Sequence, residues 1–205
     1  SPTICAEEDS LLNNPPIYIA LVVDISYSTY RDNFGGTAVG DQNKDGKANT
    51  IIDAAIAASK ALLNTILEMD NLNNSNTNIG LILFDTVATY IGNFPPLNPS
   101  ETAVNPDLVS RLEGIKIATS EQEVLDTNKG WTNIDDGLDK AILYFQDTKR
   151  PVFTDAFNLL VFLSDGKPTV MGDGDNEPFC TTKLADCSKA NTTTINACTS
   201  YSNKT

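Results

Sequence analysis

Histidine is absent from the 205 residues. That absence excludes Ser-His-Asp and Cys-His catalysis and most zinc sites, all of which need an imidazole. Cationic residues are scarce: 14 Lys and Arg stand against 27 Asp and Glu, a net charge of -13. A chain this acidic repels nucleic acid and anionic membrane surfaces and favours divalent cations. Acidity by itself only keeps a protein soluble, so the acids matter according to where they fall. No apolar run is long enough to span a bilayer. No signal-peptide pattern is visible, and Ser1 is compatible with a terminus left by processing. Also missing are a DxDx[TV] nucleophile motif, a glycine-rich phosphate loop and any CxxC pair.

What is present fits one ordinary α/β domain with a sizeable core. Residues 1–16 are polar and read as an N-terminal arm. Ile17 to Val23 is a continuous apolar run rich in β-branched residues, the pattern of a buried central strand. A polar, glycine-containing loop follows over 25–49. From Thr50 to Met69 the apolar positions fall at helical spacing. Ile79 to Phe84 reads as a second strand, and Ala88 to Phe94 as an antiparallel edge strand after a very short gap. Pro106 to Ile115 and Ser120 to Asp126 read as short helices. Ile134 to Gln146 reads as an amphipathic helix with Leu138, Ala141, Ile142 and Phe145 inward. Leu159 to Leu163 is a further apolar strand. Strands alternating with helices predict a mostly parallel central sheet with helices on both faces, a doubly wound, Rossmann-like arrangement. Ligands of such sheets collect at the carboxyl ends of the strands, where Asp24, Asp85 and Asp165 fall.

The domain is expected over 17–170, with residues 171–205 a polar, Cys-containing loop region. Because a doubly wound sheet normally carries further strands, the reading takes the domain as C-terminally incomplete; a loop-rich disulfide insertion is the alternative. Cys5, Cys180, Cys187 and Cys198 are disulfide candidates in an oxidising compartment, with three possible connectivities. The other reading is four free thiols. Asn73, Asn191 and Asn203 sit in sequons, which permit secretion without showing it.

Asp24-Ile25-Ser26-Tyr27-Ser28 leaves the first strand with a carboxylate and two hydroxyls at alternate positions. Oxygen-only donors of this kind suit a hard cation such as Mg²⁺. Gly130-Trp131-Thr132-Asn133 precedes the amphipathic helix, and Ser164-Asp165-Gly166 follows the last apolar strand. Together the three segments resemble the metal-ion-dependent adhesion site of von Willebrand factor type A domains, over residues 17 to about 170 and in that family's order. The resemblance implies that Asp24, Ser26, Ser28, Thr132 and Asp165 hold Mg²⁺, or Mn²⁺ or Ca²⁺. It also implies that the ion accepts a carboxylate from a partner. Tyr27 and Trp131 depart from the family, which usually has glycine at the first position and often at the second. They form the rim and either shape ligand choice, occlude the site or pack the loops.

A second constellation lies at 41–53. Asp41, Asn43, Asp45 and Asn49 occupy positions one, three, five and nine of an EF-hand-like calcium loop, with Gly46 at six and the Lys47 carbonyl at seven. Position twelve is Ile52 rather than an acid. Asp53, one residue on, either closes the site or favours the helix dipole. The alternative is an Asx-rich solvated turn. A calcium loop inserted here is similar to type A domains of large surface adhesins and matrix proteins. The acidic run at 172–177 is either a third calcium site or a solvated loop. Asp135 and Asp136 read as helix-start acids.

The expected function is therefore an extracellular, metal-dependent adhesion or ligand-binding domain, not an enzyme. It is secreted or at the cell surface. Its partners are a protein or acidic glycan engaged through a carboxylate, and other domains of a larger extracellular protein, with no nucleic acid and no membrane span. The alternative is a calcium-rigidified structural module whose metal takes no exchangeable ligand.

Overall fold

A computed structural model of the chain describes residues 17–33, 35–73, 77–94, 104–146, 156–166 and 169. The N-terminal arm, the four cysteines, and the acidic run at 172–177 lie outside the described residues. Four strands form one sheet in the order β3-β2-β1-β4: β1 Ile17–Asp24, β2 Thr77–Phe84, β3 Ala88–Phe94 and β4 Phe157–Leu163. β1 pairs in parallel with both β2 and β4, and β3 runs antiparallel to β2. The fold is thus α/β with a mixed, mostly parallel sheet. The helices are α1 Ile51–Asn73, α2 Pro106–Glu113, α3 Glu121–Thr127 and α4 Ile134–Gln146. Among the described residues no helix is long and apolar enough to cross a membrane.

β1 is apolar throughout because it is hydrogen-bonded on both edges and covered on both faces. Side chains of a strand alternate between faces, so the two sets meet different helices. Ile19, Leu21 and Val23 pack with Ile52, Ile56, Leu63 and Ile66 of α1 and with Leu108 and Leu112 of α2. Tyr18, Ala20 and Val22 pack with Ala141 and Tyr144 of α4. Each fully buried aliphatic side chain here contributes roughly 1.5–3 kcal/mol.

Local signals fix the helix starts. Thr50 caps α1: its hydroxyl accepts the Asp53 N–H at 3.3 Å, and the Asp53 carboxylate accepts the Thr50 N–H at 2.8 Å. This is a capping box with aspartate in the place of the usual glutamate. Asn105 caps α2 by accepting the N–H groups of Asp107 and Leu108, with Pro106 at the first helical position. Ser120 accepts the Glu123 N–H to start α3, and Asn128 ends it in the left-handed region at φ 53.

Two packing expectations need correction. On α4, Ile142 is 50% exposed while Tyr144 is buried at 4%. Tyr144 lies over Gly80 of β2, where a Cβ would fall inside its ring, and its hydroxyl meets the Asn78 carbonyl and Asn93. A polar-tipped aromatic can fill a position that helical spacing assigns to an aliphatic, provided the tip reaches a partner. β4 is the other. Its composition is that of an interior strand, yet Phe157, Leu159 and Leu160 are 64%, 46% and 41% exposed. Among the described residues it pairs on one edge only.

Candidate functional site

Register sets the site. Val23 of β1 pairs with Leu163 of β4, so the next residues, Asp24 and Ser164, stand level at the same end of the sheet. Asp24 pairs with Phe84 on its other side, which brings Asp85 to that end as well. The Ile25 N–H still donates to the Phe84 carbonyl at 2.8 Å, so the ladder continues one residue past Asp24.

Beyond Asp24 the chain turns back at once. The Ser26 N–H donates to Asp24 Oδ1 at 2.9 Å. Ser26, fully buried, then precedes a 3-10 turn over Tyr27–Tyr30, and Thr29 donates its hydroxyl to the Ser26 carbonyl at 2.7 Å. This turn returns Ser28 to the side of Ser26, with their hydroxyls 3.0 Å apart. Ser28 donates to Asp165 Oδ1 at 2.9 Å, and Ser164 donates to Asp24 Oδ2 at 2.6 Å. Two carboxylates and three hydroxyls are thereby linked across the carboxyl ends of β1 and β4.

The loop before α4 is held against them. Gly130 accepts the Tyr27 N–H at 2.8 Å and gives its own N–H to Asp85 Oδ2 at 3.0 Å. It adopts φ +91, and a Cβ there would meet Val124 at 3.0 Å, so only glycine fits comfortably. Trp131 N–H donates to Thr86 Oγ1, and Asn133 donates to the carbonyls of Asp85 and Thr86. Thr132 is buried at 3% and clamped by Thr169, which accepts its N–H at 2.8 Å and donates back to its carbonyl at 2.9 Å. Thr132 and Ser28 line one cleft of about 200 Å³, with Tyr27, Trp131 and Arg31 also on its walls. The structure thus links Asp24, Ser26, Ser28 and Asp165 in one chain of contacts, with Thr132 on the cleft that Ser28 also lines.

Burial pushes the Asp24 carboxyl above the ordinary aspartate range; bonds from Ser164 and Ser26 pull the other way, and the Asp165 charge adds to the rise. Burial likewise raises Asp85, opposed by backbone bonds from Val87 and Gly130. Among the described residues the ion pairs are Lys44–Glu113, Lys47–Asp32 and Lys60–Glu113. Among those residues no ammonium or guanidinium pairs with Asp24 or Asp165. The donors are all oxygen. No cluster of three or more carboxylate, thiolate or imidazole groups occurs among the described residues.

Three roles escape sequence reasoning, although the sequence places Asp85 and Ser164 at the strand ends. Ser164 was visible only as the neighbour of Asp165; its level with Asp24 follows from strand register, which spacing does not give. Asp85 orients the loop before α4 through both a side-chain oxygen and its carbonyl. Thr169 has no motif at all.

The 41–53 segment forms its own structure. Asp41 accepts the N–H groups of Asp45 at 3.2 Å and Gly46 at 3.0 Å, and Asp45 accepts that of Lys47 at 2.8 Å. Lys44, Gly46 and Asn49 have φ of 59, 93 and 62. Asn49 Oδ1 accepts the Val39 and Gly40 N–H groups. Asp53 Oδ1 accepts the Gln42 N–H at 2.6 Å and its Oδ2 serves the α1 cap. These two side chains brace the loop from outside its first half.

No protein-family model matches the chain, and no curated protein matches its sequence.

Proposed function

We propose that this chain is a binding domain of the von Willebrand factor type A kind, secreted or at a cell surface. In this reading a divalent cation, Mg²⁺ ahead of Mn²⁺ or Ca²⁺, is held by Asp24, Ser26, Ser28, Thr132 and Asp165. The doubly wound architecture of that family belongs to the proposal. The observation that carries it is the pairing of two carboxylates through hydroxyls, at the ends of two parallel strands, with no ion pair to either among the described residues.

The donor set fits a hard cation. Carboxylate and hydroxyl oxygens are ligands that Mg²⁺ and Mn²⁺ take in preference to softer metals. Burial of Asp24 beside Asp165 leaves excess negative charge that protein dipoles only partly offset. Bound there, the cation supplies an electrophilic point for one acidic group of a partner. The protein's own contribution is to hold the hydroxyls. The 3-10 turn fixes Ser28, and the Asp85 and Thr169 bonds fix Thr132. The cleft beside them gives room for whatever bears the acid, a protein side chain or an acidic glycan, with Tyr27 and Trp131 as its aromatic walls. Other domains of a larger extracellular protein complete the expected context.

Titration of the full chain with MgCl₂ and with a panel of carboxylate-bearing peptides and glycans tests the reading. Ligand capture is expected to need the cation and to be lost both in EDTA and in Asp24→Ala. Capture that survives both changes refutes the proposal.

A further inference from the structure

The loop at 41–47 is the motif that the proposed function leaves unused. Its fold around Asp41, with carboxylates of Asp41 and Asp45 turned onto successive N–H groups, is equally a solvated turn. Asn43 separates the two possibilities. It is buried at 7% exposure, and among the described residues its Oδ1 has no hydrogen-bond partner. A buried amide oxygen left without a partner costs about 1–3 kcal/mol. The Nδ2 of the same planar amide lies 2.9 Å from Asp45 Oδ2 and 3.4 Å from the Ile115 carbonyl. The edge of the amide that faces Asp45 is thus the nitrogen, and the oxygen on its other edge is the orphan. Turning the amide by half a revolution sets Oδ1 against Asp45 Oδ2, oxygen facing oxygen. Protein atoms satisfy neither orientation, whereas a cation among these oxygens satisfies Asn43 as a neutral ligand.

The charges agree. Lys44 and Lys47 alternate with the acids, and both ammonium groups are drawn out of the loop. Lys44 Nζ reaches Glu113 at 2.7 Å. Lys47 Nζ donates to the Tyr30 carbonyl at 2.6 Å, pairs with Asp32 at 3.1 Å and lies over the Tyr30 ring. Among the described residues, then, nothing cationic sits between Asp41 and Asp45.

We propose that residues 41–47 form a second divalent-cation site, selective for Ca²⁺, held by the carboxylates of Asp41 and Asp45, Asn43 Oδ1 and the Lys47 carbonyl. Calcium is favoured because it accepts many oxygens in flexible geometry, while Mg²⁺ demands a near-ideal octahedron. This site goes beyond the proposed function and stands without it. It also has a mechanical consequence. The Asn33 N–H donates to the Asn49 carbonyl, the Ile51 N–H to the Arg31 carbonyl, and Lys47 holds Tyr30. An ion at 41–47 thus stiffens the loop whose other end carries Ser26 and Ser28.

The test is calorimetric titration of the full chain with CaCl₂ in the Asp24→Ala background, which removes the first site. One Ca²⁺ per chain is expected to bind there. Asp41→Ala with Asp45→Ala should abolish that binding, and Asn43→Asp, which adds a third carboxylate, should tighten it about tenfold. Should the double variant fail to fold by circular dichroism, Asn43→Leu replaces it: it removes the amide oxygen, and Ca²⁺ should bind at least about tenfold more weakly. Absence of Ca²⁺ binding in the Asp24→Ala chain overturns the proposal. So does binding that the variants at 41, 43 and 45 leave unchanged.

Discussion

Replacing Asp24 by asparagine separates a cation ligand from a mere hydrogen-bond acceptor. Asn keeps an oxygen for the Ser26 N–H, and the Ser164 hydroxyl can rotate to accept from the new amide, so the local bonds survive. What is lost is a carboxylate buried at 2% exposure, near the charge of Asp165 and raised in pKa by its burial. In EDTA the variant should therefore be more stable than the parent, on the order of 1 kcal/mol, because effective repulsion between such groups is partly screened. In a chain of this size that is a rise of about 2–4 °C in melting temperature. Saturating Mg²⁺ acts in the other sense. At about a hundred times Kd, linkage adds about 2.7 kcal/mol to the parent, roughly 5–10 °C, and nothing to Asp24→Asn. The order of the two melting curves should thus invert between EDTA and Mg²⁺. Differential scanning calorimetry of both proteins in both buffers reads this directly. An Asp24→Asn chain that melts lower in both conditions, or that keeps the Mg²⁺ shift, refutes the reasoning.

Other perturbations test the frame. Glu113 accepts from Lys44 and Lys60, and these bonds lower its pKa from 4.5 to about 2. A depressed carboxyl contributes stability that is fully present above 4.5 and lost as the pH falls toward 2, so the difference between parent and Glu113→Gln should shrink across that window. Its plateau should be only about 1 kcal/mol, since both pairs are partly exposed. Gly80→Ala drives a methyl group into the Tyr144 ring and should cost about 1–3 kcal/mol in chemical denaturation; Tyr144→Leu in the same chain should recover part of the loss. Leu21→Ala, at a fully buried centre of β1, should cost about 3–5 kcal/mol by the same assay. Gly130→Ala forces a side chain to φ +91 and should weaken Mg²⁺ binding, measured by titration, more than it lowers the melting temperature.

How far the sequence speaks depends on the kind of interaction. Periodicity and β-branched content located the four strands and four α-helices of the described residues, because those signals come largely from burial, but not the 3-10 turn at Tyr27–Tyr30, which lay in an expected loop. The antiparallel placement of β3 followed from the three-residue gap after Phe84. Motif spacing put Asp24 at the end of the first strand and Ser26, Ser28, Thr132 and Asp165 on loops that the fold brings to the same end of the sheet. Register was not legible: nothing in the order of residues says that Ser164 stands level with Asp24. Nor was the engagement of Asp53, whose place one residue past the twelfth loop position left two roles open. In the structure both of its oxygens serve backbone N–H groups, at Gln42 and at Thr50. The exposure of β4 was hidden for a different reason. Composition reports what a strand is suited to, and only the sheet reports whether a neighbour covers it.

The bond from Ser164 to Asp24 joins residues 140 positions apart. During synthesis the first strand leaves the ribosome long before its partner exists, and the carboxylate waits in water until β4 docks. Closing so long a loop is slow, and it comes late in any order of assembly. Under the proposed function, an ion that needs oxygens from both ends would find no site on a half-made chain and would bind only once β4 has docked.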